Sequence, residues 1–406
     1  MENGLAKTAG MRRVPARDAV EFDAGQDPFS HDSVKHLVKR YGSPLFVIDV
    51  DRVRRQYRRL AASLPRVDLH YALKPLPHAS VIQTLKEEGA FFDLATNGEV
   101  DLVKRLGVAA DRCIHTHPIK RDSDIRTALA FGVSRFVVDN PDELRKFVKY
   151  RNRASLLIRV SFRSPDAVCD LSKKFGCAPD AVAELLTLAA GLRIKVEGLS
   201  FHVGSQSAGS GMHVHAINVC RDIMRAAADR GIELVTLDIG GGFPVDYSQR
   251  SVPIEEFCRP IRAALDAFGA GVRLIGEPGR YIAAPAAIAV SSVMGRALRD
   301  DRWWYYLDDG LYGSYSGQMY DHARYPVEAL VPAGPLHPSV LAGPTCDSID
   351  VITETIDLPK LDVGDLVVGH AMGAYTWASA SEFNFFPRAT VLALDQGRLL
   401  SDRKSR

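Results

Sequence analysis

Two glycine-bearing segments carry most of the chemistry legible in this chain. Residues 237–244, LDIGGGFP, run from an apolar strand into Gly240, Gly241 and Gly242. Residues 276–280, GEPGR, end a second apolar run with Gly279 and Arg280. Glycine lets backbone N–H groups approach a ligand closely and adopt φ values closed to other residues, so strand ends of this kind can cradle phosphate. Arg280 adds a guanidinium suited to the same anion. No GKS or GKT follows, which argues against a nucleoside triphosphate. Glu277 sets a carboxylate beside the second segment. A cofactor carrying both a phosphate and a basic ring nitrogen would satisfy both features.

Such groups need a scaffold that brings distant strand ends together. Eight short apolar segments recur between residues 67 and 280: VDLHYAL, FFDLAT, RCIHTH, RFVVD, SLLIRVSF, VEGLSFHVG, LVTLDIG and VRLIGEPG. Helix-like stretches separate them, for example HASVIQTLKEEG, closed by Gly89, and NPDELRKFVKYR, opened by Asn-Pro. This alternation predicts an α/β fold, a parallel (β/α)8 barrel over residues 51–283. A further helix, from about Asp51 to Leu64, precedes the first strand and could replace the one missing after the eighth. Lys74, Asp93, His117, Asp139, Arg159, His202, Gly240 and Glu277 all fall at or near C-terminal strand ends, the face on which such barrels build their sites. After about residue 284 the helical alternation fades into AAIAVSSVMG, RWWYYLDDG and turn-rich segments, which predicts a β-rich domain over 284–406. The segment 31–50, with GSPLFVIDV, is expected to pack with that domain. Residues 1–30 read as a loose extension within which Met11 is an alternative start.

The bulk properties exclude several classes. The chain has 406 residues and a formal net charge of +2, so it has no global pull toward nucleic acid or a membrane. Its apolar runs are strand-length, and no secretory h-region is visible near the start. Six cysteines without a CxxC pair fit a reduced, cytoplasmic setting better than a disulfide scaffold. His115/His117 and His213/His215 have i, i+2 spacing, which on a strand puts both rings on one face. No Cys or carboxylate cluster accompanies them, so no metal site is expected. The arginines at 52, 54, 55, 58 and 59 read as a solvated helix face.

Ten motifs in order carry a resemblance: HYALKPLPH, FDLATNGEV, LSKKFG, SFHVGSQ, LDIGGGFP, EPGRYIAA, YLDDGLYGSY, YDHARYP, GPTCDSID and MGAYTWASASEFNFF. Over roughly residues 35–390 the chain resembles the alanine-racemase-like, pyridoxal 5'-phosphate (PLP)-dependent basic amino acid decarboxylases. It looks most like bacterial lysine/ornithine decarboxylases. The resemblance implies PLP as cofactor, held as a Schiff base on Lys74, with Glu277 facing the pyridine nitrogen and His202 stacked on the ring. Gly240, Gly241, Gly242, Gly279 and Arg280, with Ser205 and Tyr375, match the phosphate site. Asp93 and Arg159 match positions near the Schiff base and ring hydroxyl, and Glu99 more weakly so.

For substrate, the resemblance implies that Asp321 (with Tyr320 beside it) and Asp347 bind a distal ammonium, and that Phe383 lines the carboxylate pocket. Cys346 would return a proton to Cα from the partner subunit of a homodimer, and Lys174 and Asp350 would form a salt bridge across its interface. These implications give decarboxylation of L-ornithine and/or L-lysine to putrescine or cadaverine, within polyamine biosynthesis. Carboxynorspermidine, diaminopimelate and arginine remain alternative substrates, although CDSID departs from the CESGD-like segment of diaminopimelate enzymes. A racemase on the same barrel would need a second base, a catalytic tyrosine. A non-enzymatic homologue that binds a regulator would be expected to lose the cofactor residues, which are present here.

Overall fold

The computed structural model describes residues 22, 26–162, 167–169, 174–247 and 251–400. Of the extension expected over 1–30, only residue 22 and residues 26–30 fall within that range, and the first three residues of LSKKFG fall outside it.

The described chain opens with α1 (His31–Tyr41), β1 (Leu45–Asp49) and α2 (Val50–Ser63). Eight parallel strands then close a barrel: β2 (Val67–Ala72), β3 (Phe91–Leu94), β4 (Cys113–His115), β5 (Arg135–Val138), β6 (Ser155–Val160), β8 (Lys195–Phe201), β10 (Thr236–Asp238) and β11 (Arg273–Gly276). Two short strands, β7 (Ala167–Cys169) and β9 (Ser205–Ser207), pair antiparallel outside the barrel. Both faces of the barrel strands are covered, which is why they read as nearly continuous apolar runs. Ile114, Val137, Leu157 and Ile275 form a separate buried cluster, each at most 1% exposed, that fills the barrel interior. The alternate residues pack outward against the helices.

Those helices are α3 (Ala79–Glu87), α4 (Asn97–Arg105), α5 (Asp122–Phe131), α6 (Pro141–Lys146), α7 (Val182–Gly191), α8 (Gly211–Ala228) and α9 (Ile254–Leu265). Local signals set their ends. Asn140 accepts hydrogen bonds from the Asp142 and Glu143 N–H groups and Pro141 opens α6. Thr96 and Glu99 form a capping box that starts α4 directly after β3. The helix α2 packs between α3 and α9 and closes the outer ring where no helix follows β11. Its arginines are not simply solvated: Arg58 pairs with Glu88 at 2.6 Å, Arg59 with Glu255 at 2.6 Å and Arg54 with Asp395 at 3.1 Å. Such pairs are worth about 0–1 kcal/mol each, so they orient α2 more than they stabilise it. Its buried Val50, Val53 and Leu60 supply the larger apolar term.

Beyond the short helix α10 (Arg280–Ala283) lies a nine-stranded sheet. It comprises β1 with β12 (Ala287–Arg299), β13 (Arg302–Leu307), β14 (Val327–Ala329), β15 (Leu336–Ala342), β16 (Val351–Pro359), β17 (Leu366–Gly369), β18 (Thr390–Asp395) and β19 (Arg398–Leu399). The main path runs β16-β15-β13-β12-β1-β18-β19, with β17 bridging β12 and β14. Strand β1 runs antiparallel to β12 and parallel to β18, which ties the start of the described chain to the middle of the second domain. Phe29, Val34 and Leu37 at α1, with Leu45, Val47, Ile288, Val290 and Leu392, make a second core there. No helix among the described residues is long and apolar enough to cross a membrane.

Candidate active site

The strands deliver their polar ends to one cavity. It is lined by Ala72, Lys74, Asp93, His202, Ser205, Gly241, Gly242, Phe243, Glu277, Gly279, Arg280, Tyr281 and Tyr375. One wall binds anions. Buried Arg280 donates from Nη2 to Ser205 Oγ at 2.9 Å, from Nε to the same oxygen at 3.2 Å, and from Nη1 to Tyr247 OH at 2.9 Å. The Tyr375 ring lies against the guanidinium, 4.8 Å from its carbon to the ring centroid. Against burial, Tyr247 and Asp321 push the Arg280 guanidinium further up, so it carries its charge at every working pH.

The glycine run shapes the floor. Gly240 has φ +66, and a Cβ there would meet Phe201 O at 2.3 Å. Gly242 has φ +97, and its Cβ would meet Gly204 O at 2.6 Å. Only glycine fits either position without moving backbone. The Glu277 N–H donates to Gly240 O at 2.7 Å, which joins the two glycine segments directly. Buried His213 on α8 donates from Nε2 to Gly241 O at 3.0 Å and holds the loop from behind.

The opposite wall is charged. Lys74 is solvent-exposed at the cavity beside Tyr375, Asp93 and Glu277; the Tyr375 oxygen first, then these carboxyls, favour its ammonium and raise its pKa. Burial, then the neighbouring Glu277, pushes the Asp93 carboxyl well above its usual range, and Thr116 Oγ1 donates to it. Burial and the adjacent Asp238 likewise push the Glu277 carboxyl well up. Arg159 faces both acids, and burial lowers its pKa. Burial, with Lys74 and Arg159, drives His202 well below its usual value, so the ring is neutral. Its Nδ1 accepts the Gly204 N–H at 3.0 Å, which leaves the proton on Nε2.

Some residues singled out in the sequence lie elsewhere. Cys346, Asp347, Tyr320 and Phe383 do not line this cavity. Cys346 is exposed and its N–H donates to Asn384 Oδ1 at 3.1 Å; Tyr312 OH donates to Asp347, and the Tyr312 ring stacks on Phe383 at 4.3 Å. Asp321 turns its carboxylate to Arg280, an arrangement different from an open ammonium site. Asp350 is not offered to an outside lysine: it is 2% exposed and accepts from Leu311 N at 2.7 Å, Thr345 N at 3.0 Å and Thr345 Oγ1 at 2.7 Å. Lys174 is exposed. Glu99 spends its carboxylate on Ala95 N and Thr96 N as a cap. His213 and His215 lie on α8, not on a strand, so they do not share a face. Sequence reasoning passed over Asp238 and Tyr247 and gave His213 no role at this site. Only Asp238 had a signal, as an acid at a strand end two residues before the glycine run.

A family model for the pyridoxal-dependent decarboxylase, pyridoxal binding domain, matches residues 50–284. The chain belongs to the pyridoxal-dependent decarboxylases. It is 36% identical to the lysine/ornithine decarboxylase of Selenomonas ruminantium over 90% of this chain and 94% of that protein. A crystal structure of lysine/ornithine decarboxylase complexed with cadaverine from Vibrio vulnificus superposes with a TM-score of 0.86 at 55% identity, covering 89% of this chain and 97% of that one. The arginine decarboxylase of Paramecium bursaria Chlorella virus superposes at 0.85 with 30% identity, covering 90% of this chain and all of that one. The protein is therefore an amino acid decarboxylase that uses PLP and acts on basic amino acids. The cavity fits that cofactor: the Lys74 amine reaches it, a glycine floor offers backbone that no side chain at Gly240 or Gly242 could cover without a clash, the Arg280 guanidinium stands beside that floor, and the half-buried Glu277 carboxyl lines it too.

Proposed function

We propose that the protein decarboxylates L-ornithine and/or L-lysine, giving putrescine or cadaverine, in a homodimer whose two sites are shared between subunits. Bound PLP supplies an electron sink for the pair released when CO₂ leaves. Lys74 would hold the cofactor at its aldehyde carbon through its side-chain amine, the group a substrate α-amine must displace. Gly240, Gly241, Gly242, Gly279, Ser205, Arg280 and Tyr375 hold the phosphate, and the neutral His202 ring packs on the cofactor face. Glu277 keeps the ring nitrogen protonated; Asp93 and Arg159 orient the groups around the ring. Cys346 of the partner subunit delivers its thiol proton to Cα, and Asp347 of the partner subunit joins Asp321 around the distal ammonium. Tyr320 and Phe383 line the substrate pocket.

The observation that carries this reading is the exposure of the Cys346 segment. Its chemistry-bearing side chains lie outside their own chain's cavity, and large apolar residues stand exposed beside them in sequence or space: Phe385 at 99%, Tyr320 at 68% and Ile349 at 54%. Exposed apolar residues in such number fit a covering partner. The paired acids Asp321 and Asp347 suit a substrate with a free distal ammonium.

The test offers purified PLP-loaded protein L-ornithine, L-lysine, L-arginine and meso-diaminopimelate separately and measures CO₂ and amine product. Turnover of ornithine or lysine that disappears in Lys74→Ala is the expected result. No turnover of either, in protein that binds PLP, overturns the substrate assignment.

A further inference from the structure

The barrel interior holds a second buried acid directly behind Glu277. Asp238 on β10 pairs with Ile275 on β11 and Ser200 on β8, and Ser200 pairs with Arg159 on β6. Ile275 belongs to the interior cluster, so Asp238 points inward by strand registry. Side chains two residues on share that face, so Gly240, Glu277 and His202 form the layer above, at the cavity. Asp238 is fully buried, and one of its oxygens, Oδ1, accepts the Gly240 N–H at 2.9 Å. The other, Oδ2, is buried and finds no N–H or hydroxyl donor, and Ser200 Oγ beside it is also unpartnered. The Glu277 carboxyl lies one layer above on the same face and within hydrogen-bond reach of Asp238, and two carboxyls can bond only when one of them carries a proton. Lys74, Asp93 and Arg159 are the other charged groups that face this pair, and His202 lies in the layer above by registry.

We infer that Asp238 is the positioning residue of this site: as a carboxylate it accepts a hydrogen bond from protonated Glu277 and aims that carboxyl, with its proton, at the basic ring nitrogen of the cofactor. When the cofactor enters, the Glu277 O–H bond breaks and a ring N–H bond forms, so one proton moves and total charge is unchanged. Glu277 becomes the carboxylate that pairs with the ring cation. The negative charge of Asp238 behind it raises the basicity of Glu277 and holds the proton on the ring. The same residue pins Gly240 through Oδ1, which couples the ring end of the site to its phosphate end. The inference rests on Glu277 facing the ring nitrogen.

The experiment compares wild type, Asp238→Asn, Asp238→Ser and Glu277→Ala as apoproteins titrated with PLP, following the absorbance of bound cofactor from pH 6 to 10. Asparagine keeps an oxygen for the Gly240 N–H but removes the charge and donates to Glu277. The expected result is PLP affinity weakened about tenfold and the spectral midpoint lowered by about one pH unit in Asp238→Asn, while thermal stability without PLP is retained. Should the asparagine variant fail to fold, Asp238→Ser, which keeps an acceptor without charge, must show the same two shifts. A folded neutral variant with wild-type affinity and midpoint overturns the inference when Glu277→Ala does shift both. If Glu277→Ala shifts neither, the placement of Glu277 itself is wrong and the inference falls with it.

Discussion

Replacing Arg280 by alanine separates two jobs that this guanidinium performs. In the structure it donates to Ser205 and Tyr247 and neutralises Asp321, with side-chain exposures of 5% for Arg280 and 15% for Asp321. Loss of charge-assisted hydrogen bonds to a phosphate costs about 1.5–3 kcal/mol, which predicts a PLP dissociation constant raised by roughly 10- to 150-fold. Separately, Asp321 is left largely buried without its cation, and breaking a buried pair from one side costs up to about 3–5 kcal/mol of stability. The two effects part in the double variant Arg280→Ala/Asp321→Asn, which removes the stranded charge. It should regain most of the lost stability and none of the lost affinity. Denaturant unfolding of the apoprotein and PLP titration by absorbance measure the two quantities independently. A single variant whose affinity changes by less than about threefold would refute the phosphate assignment. A double variant no more stable than the single one would refute the stranded-charge argument.

Gly242→Ala should lose PLP binding and cost about 1–3 kcal/mol in denaturant unfolding, because its Cβ would meet Gly204 O at a φ of +97. Asp309 is fully buried between Gly310 N and Ser314 N, and burial pushes its carboxyl up to about 6. The folded state thus holds this proton more tightly than the unfolded chain does. The associated stability is full below about pH 4 and is lost as pH rises through about 6. Asp309→Asn should gain on wild type by up to about 3 kcal/mol between pH 4 and 7, and a difference independent of pH would contradict the cause. Cys346→Ala should leave the melting temperature and bound-PLP spectrum unchanged while reducing decarboxylation. Mixing it with Lys74→Ala and allowing subunits to exchange should restore about a quarter of wild-type activity, since random pairing makes half the dimers mixed and each holds one intact site. Two inactive proteins that stay inactive after proven exchange would count against shared sites.

The barrel was legible because its signal is local and repeated. Each strand is an apolar run bounded by turn residues, and parallel strands buried on both faces have no other way to read. Glycine positions with positive φ or no room for a Cβ are equally legible, since no other residue fits them, and Gly240 and Gly242 show why. The polar residues at strand ends could be named for the same reason: the barrel puts every strand's C-terminal end on one face. Lys74, Asp93, His202 and Glu277 come together there from strands scattered over two hundred residues.

Pairing between distant segments was not legible, because no local pattern encodes it. Composition shows Arg280 as an anion binder but not that Asp321 occupies it in the free chain. By resemblance Asp350 reads as an interface acid, yet Leu311 and Thr345 fold around it. His213 and His215 would share a face only on a strand; they belong to a helix, where His213 supports Gly241. The chain by itself determined the strand count, the glycine floor and the kinds of groups at the site, all set by backbone sterics and hydrophobic period. Tertiary structure alone decided which carboxyl faces which cation and that Asp238 lies behind Glu277, because burial and registry across strands set those contacts.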